Sequence, residues 1–173
     1  MHIPIGEKVE KMFSGISNKY DFLNHVLSFG IDYYWRDRLA KKVKILNPNS
    51  LMDLATGSGD VAFKLSDTLN KECEITATDF CQPMLDQAKF KQIKSKKYSN
   101  ISFEHGDAMN LDFEDNTFDI VTVAFGVRNF ENRNKGLREI LRILKPQGSL
   151  FVLEFSQPDT WFRPFYFLYL KYI

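Results

Sequence analysis

One apolar run of the sequence ends in Asp53-Leu54-Ala55-Thr56-Gly57-Ser58-Gly59-Asp60, and a second ends at Asp79, twenty positions after Gly59. Small residues in a tight turn let backbone N–H groups approach a bound molecule closely, and a carboxylate at that separation can accept both hydroxyls of a ribose. A third run delivers His105-Gly106-Asp107-Ala108. There Asp107 can accept from the exocyclic amine of an adenine while the Ala108 N–H donates to a ring nitrogen; a turn-capping role is the alternative for Asp107. A strand-turn-helix junction that binds nothing uses the same residue types.

Two details discriminate among nucleoside ligands. Ala62 stands where a dinucleotide fingerprint has its third glycine. Asp60 puts negative charge at the helix start that a diphosphate would occupy, whereas a cationic or zwitterionic methionine group tolerates it. S-adenosylmethionine is therefore favoured over NAD, with Gly57, Gly59, Asp79, Asp107 and Ala108 as the binding set.

These residues need a scaffold that gathers strand ends. From residue 50 onward short apolar runs alternate with helical patterns, which predicts an α/β, Rossmann-like sheet with helices on both faces. Strands are expected at 51–55, 74–78, 101–105, 118–125 and 149–155, and helices at about 59–69, 83–96 and 132–144. Pro83 suits the first turn of the second of these helices, and Pro146-Gln147-Gly148 should stop the last one. Upstream, Phe13, Ile16, Tyr20, Leu23 and Leu27 recur at helical spacing, and a further helix is expected over about 32–46, with Asp32 at its start and Lys41, Lys42 and Lys44 near its end. One domain of 173 residues follows: a helical extension or lid at 1–48, a core at 49–157, and the start of an apolar helix at 158–173.

Composition narrows the chemistry. Lys+Arg 23 against Asp+Glu 22 gives a net charge of +1, so the overall balance offers nothing to capture nucleic acid. Cys73 and Cys81 form no CxxC pair, and three scattered histidines suggest no metal site; a reduced, cytoplasmic compartment is expected. Neither a secretion signal nor an apolar run long enough to span a bilayer is evident. Sixteen phenylalanines are more flat apolar surface than a small core requires, which suits an apolar ligand as well as an aromatic core.

Two longer stretches narrow the reading. Tyr20-Asp21-Phe22-Leu23-Asn24-His25-Val26-Leu27-Ser28 with Trp35, and the run from Arg142 to Ser156, resemble the two signatures of the C-methyltransferases of ubiquinone and menaquinone biosynthesis, within the class I adenosylmethionine-dependent methyltransferases. Phe125-Gly126-Val127-Arg128-Asn129-Phe130 is similar to the segment by which that family extends its fourth strand toward the quinol. Asp32, Leu23, Gln147 and Ala124 depart from residues common in the family. The resemblance implies methyl transfer from S-adenosylmethionine to a ring carbon of a polyprenyl quinol, demethylmenaquinol above the benzoquinol of ubiquinone synthesis. It implies Ser58, Asp79, Asp107 and Ala108 as cofactor contacts, Arg128 as the group holding the phenolate, Asn129 orienting the ring or a water, and Asp21 and His25 as proton acceptors or lid residues. A surface ion pair for Arg128 and a helix cap for Asn129 are the alternatives.

The resemblance further implies peripheral contact with the inner face of the cytoplasmic membrane, where such a substrate resides. Because the family's sheet has seven strands and only five are legible, a truncated chain lacking the final β-hairpin is expected. Such a chain would associate, as a homodimer or an aggregate, through its apolar end, and a non-catalytic cofactor-binding domain is the alternative function.

Overall fold

The computed structural model describes residues 30–154 and Arg163. The expected helix before residue 30, with Asp21 and His25, and the apolar stretch 158–173 lie outside the described residues. In chain order the elements are α1 (Ile31–Ile45), β1 (Ser50–Leu54), α2 (Asp60–Thr68), β2 (Glu74–Asp79), α3 (Gln82–Ser95), β3 (Ile101–His105), β4 (Phe118–Ala124), a 3-10 turn (Val127–Asn129), α4 (Arg133–Ile143) and β5 (Leu144–Leu153). Every strand expected from the apolar runs is present.

The described strands form one parallel sheet in the order β3-β2-β1-β4-β5. The chain builds outward from β1 on one side and then returns to build on the other, so the crevice at the carboxyl ends of β1 and β4 is the natural ligand site. Side chains alternate across the sheet as a strand's period of two requires. Leu51 and Ile120 pack toward Val43 of α1, Leu65 of α2 and Leu85 of α3, whereas Met52, Leu54, Val121 and Val123 pack toward Ile140 and Ile143 of α4. Helices thus cover both faces.

Helix ends follow local chemistry. Asp32 lies in the first turn of α1 and Lys42 and Lys44 in its last, and Pro83 occupies the first turn of α3, where its missing N–H costs nothing. The expected end of α4 is corrected. The helix stops at Ile143 and Leu144 already pairs with Phe118; Pro146-Gln147-Gly148 instead belongs to an irregularity within β5, after which Ser149 pairs with Ile120. Asp119 clamps this end of the sheet. Its Oδ2 accepts the N–H groups of Asn49 and Ser50, each at 2.9 Å, and its Oδ1 accepts from Lys145 Nζ at 2.8 Å. Those donors outweigh partial burial and hold its carboxyl down at about 2.

Candidate functional site

The carboxyl ends of β1, β2, β3 and β4 surround a cavity of about 300 Å³, lined among others by Ala55, Asp79, Met84, Asp107, Phe125 and Asn129. Asp79 is nearly buried and held by backbone: the Gly57 N–H donates to Oδ2 at 2.7 Å and the Cys81 N–H to Oδ1 at 2.9 Å. Burial raises its carboxyl, against the pull of these N–H groups and the nearby His105. The glycine-rich turn and the strand-end carboxylate, twenty-odd residues apart in sequence, are therefore one hydrogen-bonded unit. Gly57 takes φ +58° to make that approach.

The cavity wall requires missing side chains. A Cβ on Gly106 would lie 2.5 Å from Thr78 Cγ2, and one on Gly126 would lie 2.6 Å from the Ala55 Cβ, so the loops after β3 and β4 lie directly against the neighbouring strand ends. Ala55 and Phe125 both have positive φ, +57° each, a left-handed conformation unusual outside glycine. Two strained residues thus end the two central strands at the cavity. Asp107 and Ala108 both line it, and Asp107 also performs the turn role, its Oδ1 accepting from the Met109 N–H at 2.9 Å.

Past β4, the 3-10 turn carries Asn129 to the cavity wall, whereas Arg128 is not among the lining residues and makes the half-exposed ion pair that is its alternative role. Asn129 lines the cavity and does not cap α4; Asn132 does, its side chain accepting from the Lys135 N–H. Arg128 donates from Nη1 to Glu154 Oε1 at 2.6 Å, with its guanidinium carbon 5.9 Å from the centroid of the Phe125 ring. That ring in turn lies 6.2 Å from the ring of Trp35 on α1. Glu154 is the residue that reading the sequence missed. A carboxylate closing the apolar run Leu150-Phe151-Val152-Leu153 was its only signal, and the pairing spans 26 positions. Met84 also lines the cavity unanticipated, and His105 and Phe130, from the run and the segment expected there, line it too.

Ser58 and Gly59 are placed differently from Gly57. They are not among the lining residues. Lys91 Nζ donates to Ser58 Oγ at 3.1 Å and to its carbonyl at 3.2 Å, and a Cβ on Gly59 would come within 3.1 Å of Phe63, Phe103 and Ala88. Both residues brace the turn from the side facing α3. Asp60 also differs from expectation: Arg36 Nη1 lies 2.9 Å from one of its oxygens and Lys91 Nζ 2.8 Å from the other, and Arg36 reaches Asp32 at 3.2 Å. Its charge is compensated, so it gives little reason to reject a diphosphate. The missing third glycine loses force too, since Ala62 is fully buried and alanine there still allows the close helix–strand packing that the position requires.

Behind the turn, Asp53 is 1% exposed and accepts from Thr56 Oγ1 and Thr122 Oγ1, both at 2.6 Å. Burial, with a smaller push from Asp79, raises its carboxyl to about 6 against those two hydroxyls. A carboxyl raised in the folded state contributes stability that is complete below its unfolded value and is lost as pH rises through the folded one. Raising an aspartate from its ordinary value to about 6 is equivalent to about 3 kcal/mol. Asp53→Asn can keep one hydroxyl as donor to its Oδ1 and donate to the other, so it should gain up to about 3 kcal/mol over the parent as pH rises from about 4 to 7. Urea denaturation of both chains across this range checks it; parallel profiles would contradict a raised Asp53.

Comparison with known proteins agrees with this geometry. The sequence profile described as the ubiE/COQ5 methyltransferase family matches residues 4–173. The ubiquinone/menaquinone biosynthesis C-methyltransferase UbiE of Geotalea daltonii is 42% identical over 153 residues, covering 88% of this chain and 65% of that protein. The demethylmenaquinone methyltransferase of Bacteroides fragilis is 44% identical over 153 residues, with 88% and 62% covered. The chain thus spans just under two thirds of the length of these relatives. Among solved structures, an S-adenosylmethionine-dependent methyltransferase from Aquifex aeolicus superposes with a TM-score of 0.61 at 23% identity, over 70% of this chain and 67% of that one, a likeness of fold. With the sheet order, the turn-to-Asp79 unit and the profile match in agreement, the chain belongs to the ubiE/COQ5 methyltransferase family.

Proposed function

We propose that this chain is an S-adenosylmethionine-dependent C-methyltransferase acting on a ring carbon of a polyprenyl quinol, with demethylmenaquinol as the preferred acceptor and the benzoquinol of ubiquinone synthesis as the alternative. The observation that carries it is the cavity itself: a largely apolar hollow with two backbone-held carboxylates, Asp79 and Asp107, on its wall. Adenosylmethionine fits those residues. Asp79 offers the ribose hydroxyls an acceptor fixed by two N–H groups, Ala108 and Asp107 offer the adenine edge a donor and an acceptor, and Met84 offers an apolar surface. When bound, the cofactor supplies an electrophilic sulfonium methyl.

The chain's own task is to make a ring carbon nucleophilic and hold it in line. Arg128, next to the lining residue Asn129 and paired through Nη1 with Glu154, would favour loss of the proton from the quinol hydroxyl by turning its remaining N–H groups toward the resulting oxygen. Asn129, on the cavity wall, orients the ring or a water that takes the proton. Asp21 and His25 stay in the proposal as proton acceptors or lid residues. A cytoplasmic location, peripheral contact with the inner membrane face and a homodimer belong to the same reading. Among the described residues no helix is long and apolar enough to cross a membrane.

The test is turnover of demethylmenaquinol with radiolabelled S-adenosylmethionine. Label entering the quinol supports the proposal. Cofactor binding without transfer would favour a non-catalytic domain, and label entering only the benzoquinol would reverse the substrate preference.

A further inference from the structure

The outward face of α3 carries a pattern that neither the cavity nor the core uses. Met84, Leu85 and Ala88 turn inward, which leaves Lys89, Phe90, Ile93 and Lys94 on the opposite face, followed by Lys96, in a left-handed cap, and Lys97. Phe90 is 66% exposed and Ile93 is 75% exposed, and the four lysines around them are exposed as well. Five of the nine residues from Lys89 to Lys97 are lysine and none is acidic, in a chain whose net charge is only +1. Four of the five, Lys89, Lys94, Lys96 and Lys97, are exposed, so this face is locally positive. Lys91 turns back to pair with Asp60 at 2.8 Å, Asp86, one turn earlier and exposed, is engaged by Gln82 Nε2, and Asp67 accepts from the Tyr98 hydroxyl.

We propose that this face of α3 docks on an anionic phospholipid surface. Phe90 and Ile93 insert at the boundary of headgroups and acyl chains, and Lys89, Lys94, Lys96 and Lys97 lie at the level of the lipid phosphates. Each half of the pattern is weak alone, since two apolar tips bury little area and lysines at a surface are screened by salt; together they provide the two signals that stable peripheral binding needs. An aliphatic tip beside the lysines suits a lipid boundary better than a nucleic acid, which rewards stacking and charge but not Ile93.

The placement also suits the site. Cys81 and Met84, at the amino end of α3, line the cavity, and Phe90 lies about 12 Å along the axis from Gln82 at the helical rise per residue. A chain docked by this face keeps its cavity near the bilayer from which a polyprenyl quinol would be drawn. This docking deepens the peripheral membrane contact of the proposed function and rests on that reading, and the α3 surface that makes the contact is what it adds.

Flotation of the 173-residue chain with vesicles is the test, using phosphatidylcholine alone and phosphatidylcholine containing roughly a third phosphatidylglycerol. The expected result is partition onto the anionic vesicles only, weakened by salt and reduced roughly tenfold in both Phe90→Ser/Ile93→Ser and Lys94→Glu/Lys97→Glu. Both double variants should keep the parent's thermal melt and its turnover of a short-tailed, water-soluble quinol, so loss of docking is separable from loss of the proposed chemistry. Equal partition onto neutral vesicles, or parental partition by both variants, overturns the proposal. So does salt-sensitive binding of a single-stranded oligonucleotide that Phe90→Ser/Ile93→Ser leaves intact while vesicles do not bind.

Discussion

Asp79→Ala is expected to weaken S-adenosylmethionine binding by about 2–3 kcal/mol, roughly 30- to 150-fold in a calorimetric titration. Hydrogen bonds to an ionised carboxylate are stronger than neutral ones, and this carboxylate is already oriented by the Gly57 and Cys81 N–H groups, so little ordering remains for a ligand to impose. The same substitution strands those two N–H groups, and the melting temperature should fall with the affinity. Asp79→Asn separates the effects, because it retains an acceptor for one N–H while giving up the charge. Since burial raises the Asp79 carboxyl, affinity should also decline on the acid side as the carboxylate takes up its proton. A folded Asp79→Ala chain with parental affinity would remove Asp79 from the cofactor site.

Arg128→Ala should lower kcat by about 10²–10³ while leaving S-adenosylmethionine affinity nearly unchanged, the loss typical of removing one donor aimed at a developing oxyanion. Arg128→Lys should recover only part of it. Lysine keeps the charge but cannot hold Glu154 through one nitrogen while presenting a planar fork to the quinol oxygen and stacking near Phe125. Glu154→Gln provides a further contrast, since it leaves the guanidinium in place but frees it from its ionic anchor. Normal turnover by Arg128→Ala would reduce the Arg128–Glu154 pair to a half-exposed surface bridge of small energetic weight.

How much of this is legible in the sequence depends on the range of each interaction. Strand and helix positions follow from local periodicity to within a residue or two almost everywhere, because apolar runs such as Glu74–Asp79 and Ile101–His105 fix their own boundaries. The exception, β5, begins five residues early: Leu144 is recruited by Phe118 across the sheet, a contact no window around Pro146 could show. The same distinction runs through the site. Asp79 can be read because a turn and a strand end at a set spacing imply each other. The compensation of Asp60 by Arg36 and Lys91, and of Arg128 by Glu154, joins residues 24 to 31 positions apart on different elements, and nothing local marks such partners. Asparagine favours helix caps, which makes capping an alternative for Asn129, but Asn132 is the asparagine immediately before the helix and takes that role.

The sheet order has a bearing on how the chain assembles. Pairing Leu51 with Ile75, and Ile75 with Ile101, closes loops of 24 and 26 positions, whereas pairing Leu51 with Ile120 closes one of 69. Loop-closure entropy makes that last pairing the most demanding, and it must be met before distant contacts repay it. The cavity wall draws on both sides of the seam: Gly57, Asp79 and Asp107 from one, Phe125 and Asn129 from the other. A partly assembled chain with β1, β2 and β3 in place therefore holds Asp79 and Asp107 without the far wall. Recognition is a property of the closed sheet, and a ligand's free energy acts on the completed native state, holding shut the seam whose closure created its site.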